Sequence, residues 1–271
     1  MMAKKAALYA VLLAGTVVFI YPFVWMVFAT LKPEMEIPTF GLWPSRFTLQ
    51  HYEQVFAKIP IGRAFVNSIV VAGAITASVL LFSSMVGYAL SRLRFPGKNL
   101  MFMLILFTMM IPFQLTLIPL YVLMVKLHWT DTYLALIVPG MMSGFGILLF
   151  RQFFQTIPQA LLDAARVDGL SDLQILFRVI WPLSRPVLIT VGILTFMNSW
   201  NEVLWPLIVV RKSELMTMPQ IVTIFAVGGM AEAQLGIKLA AATLLAVPIV
   251  LAYSFFQRYF IESMATSGLK G

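Results

Sequence analysis

The sequence predicts an all-α polytopic membrane protein, with six transmembrane helices and a helical hairpin on the cytoplasmic side. Three observations carry that prediction. Of 271 residues, 61% are hydrophobic and 11% charged, with a mean hydropathy of +0.92; a soluble domain is nearer half apolar and a quarter charged. The apolar residues fall in six runs, at about 6–30, 66–90, 100–125, 133–154, 187–210 and 239–260, each near the roughly 20 residues a helix needs to cross the hydrocarbon. A polar stretch, "IPQALLDAARVDGLSDLQILFRVIWPLSRP" (157–186), interrupts them with three aspartates and three arginines.

The first run follows Lys4 and Lys5, as a signal peptide would. Its apolar stretch exceeds the usual h-region of about 7–15 residues and no clean small-x-small site follows, so it reads as an uncleaved span. The second run is rich in small residues (Gly73, Ala77, Ser83, Ser84, Gly87), which suit close helix packing. Pro112 and Pro119 in the third lie on nearly one face, with Gln114 between them, and predict a helix bent in one plane. Gly140 and Gly144 in the fourth form a small-xxx-small pair.

Two outer segments, 31–65 and 211–238, are too long for bare turns. The first holds "IPTFGLWPSRFT" (37–48), the proline and tryptophan signals of a folded strap; the second has a Gly228-Gly229 break. Basic residues modestly favour both termini in the cytoplasm. The short loop "SRLRFPGK" (91–98) is the most informative part, because the positive-inside bias is strongest beside the spans. The resulting plan is a first transmembrane helix (1–30), an extracytoplasmic loop (31–65), a transmembrane domain (66–260) containing the hairpin (156–185), and a cytoplasmic tail (261–271).

Several function classes are excluded. There is no cysteine, so no disulfide, thiolate metal site or cysteine nucleophile. His51 and His128 are far apart without ligand-spaced partners, which leaves no predicted metal site. The net charge of +8 fits cytoplasmic loops of a membrane protein and not a nucleic-acid partner. No H-E-x-x-H, G-x-S-x-G or clustered Ser/His/Asp set occurs, so no catalytic residue and no enzyme is predicted. Gly97-Lys98 is not part of a G-x-x-x-x-G-K-[ST] phosphate loop.

Within the polar stretch, a first helix begins near Pro158, with Thr156 as a possible cap and proline tolerated in the first turn. It ends at Gly169, the residue type favoured just past a helix C-terminus. Ser171 and Gln174 have capping-box spacing. Leu173, Leu176, Phe177, Ile180 and Trp181 then recur at helical spacing as one continuous apolar face, and Pro182 and Pro186 end the second helix. Neither helix is long enough to cross a bilayer. Spacing alone leaves two readings open: a structured loop lying on the membrane surface, or a compact knob offered to a soluble partner. A DNA-reading helix pair is excluded by the three aspartates and the tether between spans.

The residues "DAARVDGLSDLQILFRVIWPLSRP" (163–186) resemble the EAA loop of bacterial ABC importer permeases, whose pattern is E-A-A, three residues, G, then a hydrophobic stretch ending I-x-L-P. Asp163, Ala164, Ala165, Gly169 and Pro182 stand at the matching positions. "FRQFFQTIP" (150–158), "SWNEVLWPL" (199–207), "NSIVVA" (67–72), "SRLRFPGK" and the "QRYFIESM…GLKG" tail are similar to the carbohydrate-uptake branch of type I importers, the maltose-type sugar permeases. The resemblance runs from about residue 31 to 271.

The resemblance implies a half-channel without its own motor, in a bacterial inner membrane. It would pair with a related, non-identical permease subunit. Two cytoplasmic ATPase subunits would bind ATP and Mg, leaving no cofactor in this chain, and an extracytoplasmic solute-binding protein would deliver a carbohydrate or polyol. Asp163, Ala164, Ala165, Gly169 and Pro182 would then form the ATPase-coupling helix, the alanines keeping it slim and strongly helical. Asp163 replaces the family's usual glutamate. An exposed ion pair contributes only about 0–1 kcal/mol, so shape around the alanines and Gly169 is expected to matter more than this charge. The outer segments would meet the binding protein.

Alternating access needs a polar path near the bilayer midplane. Asn198, Asn201, Glu202 and Trp205 fall at i, i+3, i+4 and i+7 of the fifth span, predicting one shared helix face. A mid-span charge costs about 2.5–3.5 kcal/mol on insertion scales and so faces the interior or a wet cavity. Amides beside an aromatic plate suit hydroxyl-rich ligands, making these four the candidate substrate-pathway residues; hydrogen bonds to a partner permease would satisfy the same groups. The competing class is an ion-coupled secondary transporter. It would need mid-membrane cation ligands, for which Glu202 is the sole internal carboxylate, and no internal repeat is evident.

Overall fold

In lipid, a backbone N–H or C=O has no water to bond, so apolar runs satisfy themselves as helices. A computed structural model describes residues 2–39, 41–227 and 234–268, and among them every regular element is helical. The expected Gly228-Gly229 break lies outside the described residues, as do residues 269–271 and the side chains of the tail. The chain forms two compact units, Met1–Arg63 with Ile221–Val250, and Ala64–Gln220 with Leu251–Gly271.

In the first unit, α1 (Met2–Ala29) is long and apolar enough to span, and its central residues are unburied, as a lipid-facing helix would be. The strap after it is folded. The amide and hydroxyl of Ser45 donate to the Glu36 carboxylate, the Thr48 amide donates to the Leu31 carbonyl at 2.9 Å, and Trp43 meets Phe28 edge-on at 5.0 Å. Helix α2 (Gln50–Lys58) follows, its His51 buried against Gly236, where an added Cβ would come within 2.4 Å of the ring.

In the second unit, α3 (Ile61–Arg92) runs for 32 residues with no internal proline. Helices α4 (Lys98–Met109) and α5 (Phe113–Lys126) occupy the third apolar run but meet at 99°. The expected two-proline bend is therefore a single break. Pro112 caps α5 with ψ 132°, outside the helical range, whereas Pro119 is absorbed inside α5. The fourth run is also interrupted, into α6 (Tyr133–Ile137), a 3-10 turn (Val138–Gly140) and α7 (Gly144–Thr156), whose first turn is capped by Ser143. Gly87 permits close approach to α7, since a Cβ there would lie 2.7 Å from that of Phe150. Gly140 and Gly144 face different neighbours, Ile75 of α3 and Met109 of α4, and nothing lies within 4 Å of a Cβ on Gly73.

Helices α8 (Gln159–Val167), α9 (Asp172–Ile175) and α10 (Trp181–Leu183) form the polar stretch, and α11 (Arg185–Trp200) leaves it at 88°. The chain continues through α12 (Leu204–Val209), α13 (Met218–Val227) and α14 (Leu235–Gly268), the last running on through the segment expected as a tail. Val71, Ile75, Val79 and Tyr88 of α3, Phe150 and Phe154 of α7, Leu162 and Ala165 of α8, and Ile175, Leu176 and Ile180 share one apolar core.

Candidate functional site

The hairpin is rigid for reasons visible in its sequence. Gly169 has φ +80°, the left-handed conformation that glycine adopts freely. It lets the Gly169 amide bond the Arg166 carbonyl at 3.0 Å and the Leu170 amide bond the Ala165 carbonyl at 3.1 Å, the two bonds of a Schellman terminus. Ser171 then opens α9 with a complete capping box, its hydroxyl accepting from the Gln174 amide and the Gln174 side chain accepting from the Ser171 amide. Pro158 occupies the cap of α8; Thr156 does not cap it, because its hydroxyl donates to the Phe153 carbonyl at 2.8 Å.

The second helix departs from expectation. A π turn spans Leu176–Ile180, and Pro182 lies within α10 instead of ending it; the turn comes at Ser184. Proline lacks an N–H and clashes with the carbonyl four residues back, and the wider turn before it accommodates both. The extra residue shifts the buried face. Ile175, Leu176 and Ile180 are fully buried, while Leu173 is exposed, so the continuous face predicted from α-helical spacing is broken.

A closed polar ring ties the hairpin to α3. Arg92 donates to the Phe154 and Ile157 carbonyls and, at 3.0 Å, to Gln159 Oε1. Gln159 donates to Asp163 Oδ1 at 3.0 Å, Arg166 bridges Asp163 and Asp172 at 3.4 Å each, and the Tyr88 hydroxyl donates to Asp172 Oδ1 at 2.9 Å. Partial burial opposes the charge of Arg166, but Asp172 and Asp163 hold its guanidinium above its ordinary pKa. One turn further along α3, Ser84 accepts from the Trp181 indole at 3.1 Å. The carboxylate of Asp163 is thus engaged within its own chain.

The sequence reading took Ser84 as a packing residue and Arg92 as part of a basic loop and passed over Tyr88, although their spacing of four places all three on one face of an otherwise apolar helix. Of the predicted hairpin residues, Ala165 is buried in the core while Asp163, Ala164, Gly169 and Pro182 are exposed. Exposed Leu161 and Val167 flank Ala164, leaving an uncovered apolar ridge along α8. Val167 is the most exposed of them, at 88%.

The four residues of the fifth span do not share one helix face. Helix α11 ends at Trp200, and Asn201 is its cap residue, exposed, with its side-chain amide bonded to the Met197 carbonyl at 2.8 Å. Pro206 explains the break, since an uninterrupted helix would drive its ring into the carbonyl of residue 202. Glu202 instead lies in the link before α12, its carboxylate accepting from the Trp205 amide at 3.1 Å. The structure nonetheless brings three of the four together. Asn198, Glu202 and Trp205 line a cavity of about 320 Å³ with Ser143, Thr195, Ser199 and Thr217, walled by Val71, Ile75, Phe113 and Leu136. The indole N–H of Trp205 is spent on the Ala135 carbonyl at 2.8 Å, so the ring offers the cavity only an apolar plate. Among the described residues no Lys, Arg or His lines it.

At the other end of α12, Asp131 adopts φ +56° and accepts from the amides of Arg211 and Lys212 at 2.6 and 2.9 Å. Those two bonds hold its carboxyl below the usual carboxylate range.

Residues 70–266 match the family model described as "Binding-protein-dependent transport system inner membrane component". The chain is 37% identical over 258 residues to the arabinooligosaccharides transport system permease protein AraQ of Halalkalibacterium halodurans, covering 93% of this chain and 91% of that one. It is 32% identical to the lactose transport system permease protein LacG of Rhizobium radiobacter (96% and 94%) and to the sn-glycerol-3-phosphate transport system permease protein UgpE of Pectobacterium atrosepticum (96% and 95%). Its fold matches a chain from a bacterial ABC transporter involved in import of the acidic polysaccharide alginate, with TM-score 0.82 over 95% of this chain and 97% of that one, at 24% identity.

Proposed function

Because this chain belongs to the family of binding-protein-dependent transport system inner membrane components, we propose that it is the permease subunit through which a neutral carbohydrate or polyol crosses by alternating access, driven by separate ATPases. Family membership sets aside the ion-coupled secondary transporter, and it makes the chain a channel-forming component and not an enzyme. The motor would dock on the hairpin, Asp163 to Pro182, with the exposed ridge of Leu161, Ala164 and Val167 as the contact. On this reading the hairpin and both termini face the cytoplasm. The partners are a related second permease, two ATPase subunits carrying ATP and Mg, and an extracytoplasmic binding protein.

One observation carries the substrate class: the cavity beside α11 and α12 contains a carboxylate, hydroxyls and an amide but no described cation. A substrate anion brought to about 5 Å from Glu202 would be repelled by about 3 kcal/mol at an effective dielectric near 20, on the order of a hundredfold in affinity. Hydroxyl-rich neutral ligands meet no such barrier. Relatives named for arabinooligosaccharides and lactose fit this reading better than those named for a phosphate ester.

The test is uptake by the reconstituted complex with its binding protein. Neutral oligosaccharide uptake should require ATP and survive a proton ionophore, and sn-glycerol 3-phosphate should not be carried. Uptake that collapses with the ionophore while ATP persists would refute the permease reading. Equal uptake of the phosphate ester would refute the neutral-substrate reading alone.

A further inference from the structure

The hairpin accounts for Asp163 and Arg166 but not for the basic residues beside it. Arg92, Arg94 and Lys98 line a cavity of about 610 Å³ whose opposite wall is Gln159, Asp163 and Arg166. Arg151 adds a further cation near Lys98. Asp163 is the sole acid in the lining, and it is already shared between Gln159 and Arg166. Among the described residues no carboxylate lies within 4.0 Å of Arg92, Arg94, Lys98 or Arg151.

Their donors are met only by neutral groups. Arg92 bonds backbone carbonyls and Gln159, Lys98 bonds the Leu93 carbonyl at 2.8 Å, and Arg151 stacks 3.9 Å from the Phe102 ring with its buried Nε unpartnered. Carbonyls and a ring satisfy geometry without cancelling charge, so the cluster lacks an anion.

The setting says which anion. Lys98 is the first residue of α4, and within one turn the exposed apolar side chains begin: Leu100, Met101, Met103, Leu104 and Phe107. A second hollow, from Leu93 and Arg94 to Asn99 and Leu100, continues the cavity onto that surface. Cations therefore converge where an unburied apolar helix starts, which is headgroup depth, and basic pockets between helices on this side of a membrane suit acidic headgroups. We propose that this cavity binds the phosphate of an anionic phospholipid whose acyl chains lie along α4. The lipid would touch the hairpin directly through the wall formed by Gln159 and Arg166. The proposal shares with the transport reading only the cytoplasmic placement of the hairpin, so lipid binding and sugar uptake can fail separately.

Native mass spectrometry of the purified complex, titrated with phosphatidylglycerol or phosphatidylcholine, tests it. Wild type should take up phosphatidylglycerol selectively. Replacing Arg94→Gln and Lys98→Gln together should weaken that binding about thirtyfold, from roughly a fivefold effect per basic residue. Arg94→Lys with Lys98→Arg should restore it, and Lys126→Gln should leave it unchanged. Should the double variant fail to assemble, Arg94→Gln alone still predicts about a fivefold loss, since Arg94 is exposed and bonded to no described residue. Unchanged phosphatidylglycerol affinity overturns the proposal. So does full competition by equimolar inorganic phosphate, which assigns the pocket to a free anion, or loss of the ATPases with lipid binding intact, which assigns it to the motor.

Discussion

Replacing Gly169 by alanine and by arginine separates two costs that one substitution would merge. Gly169 holds φ +80°, and any L-residue there meets a left-handed strain of roughly 1–2 kcal/mol. Nothing lies within 4 Å of a Cβ built at this position, so no packing cost adds to the strain. Both variants should therefore unfold slightly earlier, by similar amounts, in a thermal melt of the purified complex. They should part company in transport. Alanine adds one methyl to the exposed turn after α8, whereas arginine adds a long cation beside the ridge proposed to seat the ATPase. With ATPase activity and uptake measured in proteoliposomes, Gly169→Ala should retain most uptake. Gly169→Arg should lose at least about tenfold, with ATP hydrolysis no longer stimulated by the loaded binding protein. A Gly169→Arg complex that transports as well as Gly169→Ala would refute docking at this turn, whatever its stability.

Three further outcomes are expected. Asp172→Ala leaves the hydroxyl of Tyr88, which is 3% exposed, and one side of Arg166 without their acceptor; stability should fall by about 1–3 kcal/mol, read as a lower melting temperature of the complex. Asp131→Ala removes two charge-assisted bonds to the 211–212 backbone and should cost about 1–2 kcal/mol, the low end because the carboxylate is partly exposed. Since its folded pKa is depressed, this contribution is complete above the unfolded value near 3.9 and lost only as pH falls through the lower folded value; melts at pH 7 and 5 should show the same wild-type–variant gap. Gly87→Ala puts a Cβ 2.7 Å from that of Phe150, an overpacking cost of about 1–3 kcal/mol visible as reduced yield of folded permease.

How much was legible follows from which forces are local. The capping box at Ser171 and the turn at Gly169 depend on residues within one turn, and both stand where spacing predicted them. The shared face of Asn198, Asn201, Glu202 and Trp205 assumed a helix that Pro206 forbids, a signal present in the sequence but outweighed by the apolar run. Burial of Ile175 in place of Leu173 was not legible, because periodicity arguments assume an α-helical register and the π turn adds a residue. The ring through Arg92 and Tyr88 joins segments more than 60 residues apart, and no local pattern encodes such a pairing. Only the spacing of Ser84, Tyr88 and Arg92 hinted at it.

That ring is anchored at both ends on a single helix, α3. The chain leaves the hairpin through an 88° corner at Ser184, whereas Tyr88 and Arg92 of α3 bond the hairpin directly. Tyr88 and Val71 are separated by about 25 Å along the axis at 1.5 Å per residue, and Val71, Ile75 and Val79 wall the cavity beside Glu202. The hairpin and the cavity wall therefore share one helix, an element far from the hairpin in sequence and not the one that follows it.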